Sequence, residues 1–349
     1  MKAITFQGIE QLAYHEVAEP SIVRSTDVIV KVEITAICGS DLHVYRGNEK
    51  GLDIGTIMGH EFLGEVVDIG SDVRVIQKGD TVVSPFTTSC GECYYCKIGL
   101  TCRCEQGELY GWVSDGHGLH GAQAEYVRVP RADSTLLKID PTGNKDELLM
   151  IGDIFSTGYF AADNGGTSKG KNVAIVGAGP VGLMAVLGAR DLGAENIMII
   201  DSIEERLTLA AEFGATTIKL SNTSAEEVRQ NTNGRGVDIA IEAVGNPGAA
   251  RLAYDLVRPG GTISTVGVHT SDRLSFSPVE AYDKNLTYRS GRCPARHYMD
   301  KLMETVRSGK YPLNRIISHH MPLSQGVEAY RIFDQKLDQS MKIMLHPEH

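Results

Sequence analysis

Four cysteines in one short stretch give the chain its clearest chemical pattern. Cys90, Cys93, Cys96 and Cys104 follow the spacing C-x2-C-x2-C-x7-C. Four thiolates from one loop form a closed tetrahedral zinc site with no position open to a substrate. Two alternatives compete with zinc. Four ordinary buried cysteines would need this spacing by coincidence, and an iron–sulfur motif closes with three residues and a proline rather than with seven residues. We therefore expect a structural zinc in a lobe at about residues 88–106.

A second, sparser set of side chains could hold a metal that takes part in a reaction. Cys38 offers a thiolate and His60 an imidazole, and both suit a borderline-soft ion such as zinc. A catalytic zinc needs a third protein ligand and one open position, and Asp153 is the candidate for that ligand. Each residue also has an ordinary interpretation: a buried thiol, a hydrogen-bonded imidazole, and a loop or N-cap aspartate.

A glycine-rich turn at residues 177–182 fits a dinucleotide pyrophosphate. Its sequence, G-x-G-x-x-G, stands directly between an apolar run and a helical pattern. The first glycine permits a tight turn, the second lets the backbone approach the pyrophosphate, and the third lets the helix pack on the strand. We assign to cofactor binding the turn residues Gly177, Gly179, Pro180, Val181 and Gly182.

An acidic residue follows this turn at a distance that bears on the choice of cofactor. Asp201 stands 22 residues after Gly179, at the end of the next apolar run. A carboxylate there accepts hydrogen bonds from the adenosine ribose and repels a 2′-phosphate, so the position favours NAD over NADP. The alternative is a helix N-cap in the segment Asp201–Glu204, which would not explain the spacing from the glycines.

The composition limits the class of protein. The 349 residues are 42% hydrophobic and 22% charged, with 38 glycines, which is typical of a soluble α/β protein of two domains. A net charge of -10 argues against nucleic acid as a partner. The first residues lack the apolar stretch of a signal peptide, and no apolar run is long enough to cross a bilayer, so we predict a cytoplasmic protein without a membrane partner. In that compartment, clustered cysteines indicate metal rather than disulfides.

The order of secondary structure must position these groups. Up to about residue 140 the pattern is rich in strands, with alternation over Asp27–Ile34 and a strand at Thr81–Val83. From Lys171, short apolar strands alternate with helical stretches, which predicts a parallel sheet covered by helices on both faces. The strands are predicted at Asn172–Val176, Asn196–Ile200, Thr217–Leu220, Val237–Ile241 and Gly261–Val266. After residue 292 we expect an amphipathic helix around Tyr298–Ser308 and a last strand near Met341–Leu345.

Taken in order, these motifs resemble those of the zinc-dependent medium-chain dehydrogenases of the alcohol dehydrogenase superfamily. The resemblance extends over essentially the whole chain, from Cys38 through Gly59-His60-Glu61 and the four cysteines to the glycine turn and Asp201. It implies an α/β protein with two domains. Residues 1–152 and 293–349 would form a GroES-like, β-rich catalytic domain, and residues 153–292 a Rossmann domain with a doubly wound parallel sheet. The active site would lie in the cleft between them.

The resemblance implies that Cys38, His60 and Asp153 ligate the catalytic zinc. Glu61 would lie behind these ligands or bind the metal transiently, and Asp41 would orient His60. Position 153 is a cysteine in classical animal and yeast enzymes. Aspartate there is similar to bacterial secondary-alcohol dehydrogenases and to the glutathione-independent formaldehyde dehydrogenase group. Secondary-alcohol enzymes of that kind often prefer NADP and lack the structural zinc, whereas this chain has the acidic residue that favours NAD and all four lobe cysteines.

A proton relay and a pyrophosphate contact also follow from the resemblance. Ser40 would take the alcohol proton and pass it through the nicotinamide ribose to His43, which exchanges it with solvent. An ordinary surface histidine is the alternative for His43. Classical enzymes often have a basic residue beside the zinc cysteine, where this chain has Gly39. Lys342, near the last strand, is the candidate to meet the pyrophosphate instead, with a solvated lysine as the alternative.

Three aromatic residues fall near the substrate-pocket positions of the family. Phe86, Tyr110 and Trp112 could line an apolar substrate site. Core packing is the alternative, and aromatic residues take that role more often.

We predict from these observations a zinc-dependent NAD oxidoreductase that interconverts small or medium-chain alcohols and aldehydes or ketones by hydride transfer. The resemblance implies two zinc ions per subunit and a homo-oligomer, with a tetramer favoured over a dimer. Oxidation of a polyol or of threonine on the same fold is the first alternative. A non-catalytic NAD-binding structural protein is the second, against which the complete set Cys38, His60 and Asp153 argues.

Overall fold

The structure is a computed structural model that describes residues 1–140 and 142–348. Its strands are β1 (Lys2–Gly8), β2 (Gln11–Glu16), β3 (Val28–Ile37), β4 (Phe62–Ile69), β5 (Thr81–Val83), β6 (Trp112–Ser114), β7 (His117–Leu119), β8 (Tyr126–Val129), β9 (Leu137–Lys138), β10 (Asn172–Val176), β11 (Asn196–Asp201), β12 (Thr216–Lys219), β13 (Val237–Glu242), β14 (Val257–Thr265), β15 (Thr287–Ser290), β16 (Ile317–Pro322) and β17 (Lys342–His346). Its helices are α1 (Asp41–Tyr45), α2 (Tyr94–Lys97), α3 (Ala132–Thr135), α4 (Lys145–Leu149), α5 (Ile154–Asn164), α6 (Pro180–Asp191), α7 (Glu204–Glu212), α8 (Ser224–Gln230), α9 (Pro247–Leu256), α10 (Pro278–Asp283), α11 (Ala295–Arg307) and α12 (Gly326–Asp334).

The chain divides into two compact units. The first unit contains residues 1–153 together with the segment from Pro294 onward, and the second unit contains Ile154–Cys293. Within the described residues, no helix combines the length and the apolar composition that crossing a membrane requires.

The first unit is built on a sheet of seven strands, in which β3 is the longest. The order is β16-β17-β3-β4-β5-β9, and β8 also pairs with β3. All pairs are antiparallel except β16 with β17. The predicted strand over Asp27–Ile34 is longer than expected, because residues 35–37 continue to pair with β17 and are buried. Most of β3 is therefore enclosed on both faces instead of alternating between core and solvent.

The register of this sheet brings distant parts of the sequence together. Thr35 pairs with Phe62 at the start of β4, and Ile37 pairs with Ile343 near the start of β17. Because both pairings are antiparallel, the carboxyl end of β3 lies beside the amino ends of β4 and β17. Residues just after β3, just before β4 and at the start of β17 consequently meet at one place.

The second unit is a parallel sheet of six strands in the order β12-β11-β10-β13-β14-β15. This order is that of a doubly wound sheet, in which β10 opens the first half and β13 the second. Helices α5 and α6 pack closely, since a Cβ at Gly158 would lie 2.5 Å from the backbone nitrogen of Ala185. The predicted Rossmann-type sheet is confirmed.

The strands of the second unit follow the predicted apolar runs with two exceptions, β14 and β15. β10 has the predicted bounds, and β11, β12 and β13 differ from theirs by one residue. β14 begins at Val257, four residues before the predicted start, and β15 was not predicted. All four residues of β15 are exposed, so it lacks the apolar signal by which the other strands were found. In the first unit, α11 and β17 occupy the regions where the last helix and the last strand were expected.

Candidate metal centres and dinucleotide site

A cluster of four potential metal ligands lies where the sheet register of the first unit converges. Cys38 directly follows β3, His60 and Glu61 directly precede β4, and Asp153 follows the short 3-10 turn at residues 150–152. Gly59 has a φ of +86°, and a Cβ there would lie 2.4 Å from a side-chain carbon of the buried residue 123. Only glycine therefore fits the turn that leads into the cluster.

The ligand atoms of these side chains lie close together. Cys38 Sγ, a ring nitrogen of His60 and one carboxylate oxygen each of Glu61 and Asp153 are all within 4.8 Å of one another. Asp153 Oδ2 is 3.3 Å from Cys38 Sγ and 3.2 Å from His60 Nε2. His60, Glu61 and Asp153 are buried, and Cys38 is half-buried. The structure thus brings together the three predicted zinc ligands and Glu61.

Asp41 orients two members of this cluster. Its Oδ1 lies 3.1 Å from His60 Nδ1, and its Oδ2 accepts a hydrogen bond of 2.9 Å from the backbone N–H of Cys38. A carboxylate at Nδ1 selects the tautomer with its hydrogen on that nitrogen. His60 Nε2, the nitrogen that faces the cluster, is then the one that can bind a metal.

Glu61 gives an independent test of whether a cation fits. Its Oε1 accepts a hydrogen bond from Lys342 Nζ, and the two side chains are 0% and 1% exposed. Its Oε2 is buried and has no hydrogen-bond partner among the residues that the structure describes. An unpaired buried carboxylate oxygen is costly, and a bound cation would satisfy it. The Glu61 carboxylate, the Cys38 thiol, the His60 imidazole and the Asp153 carboxylate form a donor set that suits zinc.

This geometry corrects the predicted role of Lys342. The lysine was expected to meet a cofactor pyrophosphate, or else to be solvated. Its ammonium is instead enclosed in the first unit, where it is bound to Glu61 and donates a hydrogen bond of 3.2 Å to the carbonyl of Ile37. Its charge therefore balances a buried carboxylate at the metal cluster.

The groups of the cluster titrate far from their ordinary ranges. Burial, reinforced by the charge of Asp153, raises the pKa of Cys38 to about 11. Burial opposes a charge on His60, but Asp41 and Asp153 outweigh it and raise its pKa well above the ordinary value. Burial also opposes a charge on Asp153, yet the hydrogen bond from His60 lowers its pKa to about 2. Cys38 and His60 therefore hold protons at neutral pH that a metal ion would displace.

The four lobe cysteines form a second, more symmetrical cluster. The Sγ atoms of Cys90, Cys93, Cys96 and Cys104 lie within 4.8 Å of one another, with 3.9 Å between those of Cys93 and Cys104. A tetrahedral ion with Zn–S bonds of about 2.3 Å requires sulfurs about 3.8 Å apart. The arrangement therefore fits a four-thiolate zinc site.

Backbone N–H groups point at the sulfurs of this lobe. The N–H of Cys93 lies 3.3 Å from Cys90 Sγ, and those of Cys90 and Gln106 lie 3.2 and 3.4 Å from Cys104 Sγ. Backbone hydrogen bonds of this kind lower the pKa of Cys93 to about 6, whereas burial raises the pKa of Cys96 to about 12. Such donors stabilise thiolates, which are the form that binds zinc.

The two residues of the predicted proton relay lie on one short helix. Ser40 is the N-cap residue of α1, and its Oγ lies 3.3 Å from His60 Nε2. His43, three residues further on, is half-buried, and burial is the main cause that lowers the pKa of its imidazole. In the described part of the chain, no hydrogen bond joins the side chains of Ser40 and His43. The relay remains a prediction.

Of the three aromatic residues predicted to line a pocket, Phe86 lies beside the cluster. Its ring centroid is 6.3 Å from that of His60, in an edge-on arrangement. Tyr110 is 2% exposed and packs edge-to-face on Phe62, with 5.1 Å between the rings. Trp112, in the β6–β7 hairpin, packs against a hydrophobic core cluster of the first unit. The pocket assignment is corrected for Tyr110, because core packing accounts for its position, and it stays a prediction for Phe86 and for the partly buried Trp112.

The glycine turn of the second unit has the geometry that its sequence predicts. Gly177 follows β10 with a φ of +99°, and a Cβ at Gly182 would lie 1.8 Å from the carbonyl oxygen of Gly177. Gly179 is the N-cap residue of α6, with Pro180 and Val181 in its first turn. A Cβ at Gly179 would meet nothing closer than 3.8 Å, so the backbone is accessible there. A helix of 12 residues begins at this turn and favours an anion at its amino end.

Asp201 links the neighbouring strand to this turn. Its Oδ2 accepts a hydrogen bond of 2.7 Å from the N–H of Ala178, and its Oδ1 accepts one of 2.9 Å from Ile203. α7 begins at Glu204 with Ile203 as its N-cap residue and without a side-chain cap. The alternative role of Asp201 as a helix N-cap is therefore not observed.

Three polar side chains of the second unit were not predicted from the sequence: Arg206, His269 and Glu242. The guanidinium of Arg206 lies 3.8 Å from the Cβ position of Gly179, and its charge faces Asp201. His269 binds the buried carboxylate of Glu242 with 2.9 Å between the atoms. Arg206 could have been predicted, because a basic residue in the first turn of the helix after Asp201 lies close to that carboxylate in the sequence. The pair of His269 and Glu242 had no such signal, because 27 residues separate them.

Comparisons with known proteins agree with this fold. Residues 24–141 match the alcohol dehydrogenase GroES-like domain, and residues 180–308 match the zinc-binding dehydrogenase domain. Zinc-type alcohol dehydrogenase B of Aspergillus flavus is 44% identical over 345 residues, which cover 96% of this chain and 79% of that protein. The structure of an alcohol dehydrogenase from Thermus sp. ATN1 is 39% identical, covers 100% of both chains and superposes with a TM-score of 0.93. An alcohol dehydrogenase from Escherichia coli, complexed with NADH, is 28% identical, covers 99% of both chains and has a TM-score of 0.85.

The fold and the two matched domains define an oxidoreductase of the zinc-type dehydrogenase class. Relatives named alcohol dehydrogenases cover nearly the whole chain. The chain belongs to the zinc-dependent medium-chain dehydrogenase/reductase superfamily, as its motifs predicted.

Proposed function

We propose that this protein is a zinc-dependent NAD oxidoreductase that interconverts small or medium-chain alcohols with aldehydes or ketones. The observation that carries the proposal is the buried cluster of Cys38, His60, Glu61 and Asp153, in which one carboxylate oxygen has no partner among the described residues. When bound, zinc would supply Lewis acidity toward the substrate oxygen, and NAD would accept the hydride. Cys38, His60 and Asp153 would hold the metal, with Glu61 behind them.

The residues around the cluster have distinct tasks in this proposal. Asp41 fixes the ring of His60, so that Nε2 stays directed at the metal. Ser40 Oγ, 3.3 Å from that nitrogen, takes the proton of the alcohol. His43 is neutral near pH 7, because burial lowers its pKa, and can accept that proton and release it to solvent. The apolar ring of Phe86 lies beside His60, which supports a largely apolar substrate.

We also propose that NAD is preferred over NADP. The support is the position of Asp201 at the carboxyl end of β11, beside the glycine turn. Arg206 lies close to the same carboxylate and could weaken the repulsion of a 2′-phosphate. The preference is therefore expected to be moderate in wild type, and Asp201→Ala should shift it toward NADP.

The assembly and the zinc content belong to the same proposal. We propose two zinc ions per subunit, one in the lobe and one in the cluster, and a cytoplasmic homotetramer. The resemblance to the family supports the tetramer, and the four-sulfur geometry of the lobe supports the structural zinc. Light scattering coupled to size-exclusion chromatography measures the assembly, and a mass of one or two subunits would contradict the tetramer.

A single experiment tests the core of the proposal. Zinc per subunit is measured in wild type and Cys38→Ser, beside NADH formation from a panel of primary, secondary and polyhydroxy alcohols with NAD and NADP. We expect two zinc ions to fall to one, with loss of activity. Cys102→Ser is the matched control, since this cysteine lies in the lobe but outside both clusters, and it should keep two zinc ions. Full activity in Cys38→Ser, or no turnover of any alcohol by zinc-loaded wild type, would contradict the proposal.

A further inference from the structure

The loop after β14 carries an imidazole that a buried carboxylate holds in place. Glu242, the last residue of β13, is 0% exposed, and its Oε2 lies 2.9 Å from His269 Nε2. Its Oε1 accepts hydrogen bonds of 2.8 Å from the N–H of Val244 and 2.7 Å from that of Gly245. The backbone carbonyl of Glu242 in turn accepts from Val266 and Gly267 in the β14 loop. Glu242 thus connects the loop after β13 to the loop after β14 through hydrogen bonds.

The bonds of Glu242 determine which nitrogen of His269 is available. All the side-chain partners of Glu242 donate hydrogen to it, so His269 Nε2 carries its hydrogen. In the neutral ring, Nδ1 is then a hydrogen-bond acceptor. Among the residues that the structure describes, no donor binds Nδ1, although the side chain is only 24% exposed. A fixed, partly buried acceptor without a protein partner is suited to a ligand that donates an N–H or O–H group.

The sheet register places His269 at the ligand-binding edge of the second unit. Val176 pairs with Glu242, and Glu242 pairs with Thr265, so the carboxyl ends of β10, β13 and β14 lie side by side. Val244, after β13, touches the glycine turn, since a Cβ at Gly177 would lie 2.5 Å from it. The first half of a doubly wound sheet takes the adenosine part of a dinucleotide, and the second half takes the other nucleotide.

We infer that His269 binds the nicotinamide mononucleotide half of the cofactor, with Nδ1 accepting a hydrogen bond from a ribose hydroxyl or from the carboxamide N–H. Glu242 is the positioning residue that fixes the ring. The inference rests on the proposed use of a nicotinamide dinucleotide. For a neutral ring, a phosphate oxygen is not a partner of Nδ1, because two acceptors do not form a hydrogen bond.

Two ligands and three substitutions test this inference on the zinc-loaded protein. NADH contains both nucleotide halves, and ADP contains only the adenosine half. NADH binding is measured by the change in its fluorescence, and ADP binding by calorimetry. We expect His269→Ala to raise the Kd for NADH about five- to ten-fold, which is the effect of one lost hydrogen bond, and to leave the Kd for ADP within about two-fold of wild type.

The other two substitutions separate the contact with the ligand from the contact with Glu242. The amide of His269→Gln reaches the position of Nε2, so it keeps the bond to Glu242 and loses the acceptor at Nδ1. The amide of His269→Asn reaches the position of Nδ1 and loses the bond to Glu242. We expect the glutamine variant to bind NADH as weakly as the alanine variant, with the melting temperature of wild type. The asparagine variant should bind NADH more tightly than the glutamine variant.

The outcomes distinguish this inference from the proposed function. Unchanged NADH affinity in the glutamine variant, or an equal loss for ADP, would overturn the role of His269 and leave the dehydrogenase proposal intact. Wild type that binds neither NADH nor ADP would refute the proposed cofactor and this inference with it. If His269→Ala does not fold, the glutamine variant decides the question, because it retains the structural bond.

Discussion

Asp41 offers a sharp test of how the metal cluster is held. It contributes no ligand atom to the cluster, yet it contacts His60 Nδ1 at 3.1 Å and the N–H of Cys38 at 2.9 Å. In Asp41→Asn the shape is retained and the charge is lost. A hydrogen bond to a charged acceptor is stronger than one to a neutral acceptor by about 1–2 kcal/mol. The bond to His60 should strengthen when Nε2 binds zinc, so the Kd for zinc should rise about 5- to 30-fold.

Asp41→Asn has a second effect, which increases zinc affinity at low pH and so opposes the first. Asp41 is the largest of the favourable influences that raise the pKa of His60, so its removal makes the ring easier to deprotonate. Deprotonation is part of zinc binding, and an easier deprotonation favours the metal. The loss of affinity should therefore be smaller at the acidic end of the range and grow as the pH rises, because the deprotonation of His60 then contributes less to the cost of zinc binding.

The assay is a chelator competition from pH 6 to pH 9, started from the fully loaded protein. The zinc in the lobe serves as the internal reference, because Asp41 does not contact it. Asp133→Asn is the matched control, since Asp133 accepts three backbone N–H groups, those of residues 74, 75 and 76, and none of these residues belongs to the cluster. An affinity of Asp41→Asn within two-fold of wild type at pH 9, or an equal loss in the control, would refute the reasoning.

Two further predictions follow from the same structure. Binding of zinc to the cluster should release about two protons at pH 7, because burial raises the pKa of Cys38 to about 11 and the nearby carboxylates keep His60 charged against the effect of its burial, so affinity increases with pH. Calorimetry in buffers of different ionisation enthalpy measures this number. Gly182→Ala should lose NADH binding and about 1–3 kcal/mol or more of stability, because its Cβ would lie 1.8 Å from the Gly177 carbonyl. Gly248→Ala in the same unit, where the nearest atom is 3.4 Å away, should be tolerated.

The prediction of proton release and the prediction for Gly182→Ala can each be contradicted by a specific result. Release of no protons would mean that Cys38 and His60 are already deprotonated, and the account of their charges would be wrong. Wild-type NADH affinity in Gly182→Ala would mean that the turn can rearrange around a methyl group, so that close packing of helix and strand is not required there.

The sequence predicted the fold class well, because the chain contains several local sequence patterns that can be recognised without knowledge of the tertiary structure. Short runs of four to six residues marked β10 to β13, and G-x-G-x-x-G marked the turn before α6. β15 was missed because an exposed edge strand needs no apolar residues. The signals that failed were those that depend on tertiary packing.

Lys342 and Tyr110 illustrate that limit. A lysine near the last strand looks solvated or available to an anion, and only the antiparallel pairing of β17 with β3 shows that it reaches Glu61. An aromatic residue in a loop gives no indication of which way it packs, and Tyr110 is enclosed against Phe62. The pairing of His269 with Glu242 depends in the same way on the parallel register of β13 and β14.

The two metal clusters differ in how much of the chain must be folded before they exist. The lobe cysteines span residues 90–104, so the loop that a zinc ion closes there is short and has a small entropy cost. The other cluster joins residues 38 and 153 and exists only after β3, β4 and the turn at residues 150–152 have assembled. We therefore expect the lobe to capture zinc early, even from an incomplete chain, and the second site to bind it only in the finished fold. Because the cluster that joins residues 38 and 153 binds zinc only in the finished fold, a higher zinc concentration would increase the folded fraction of the first unit by mass action.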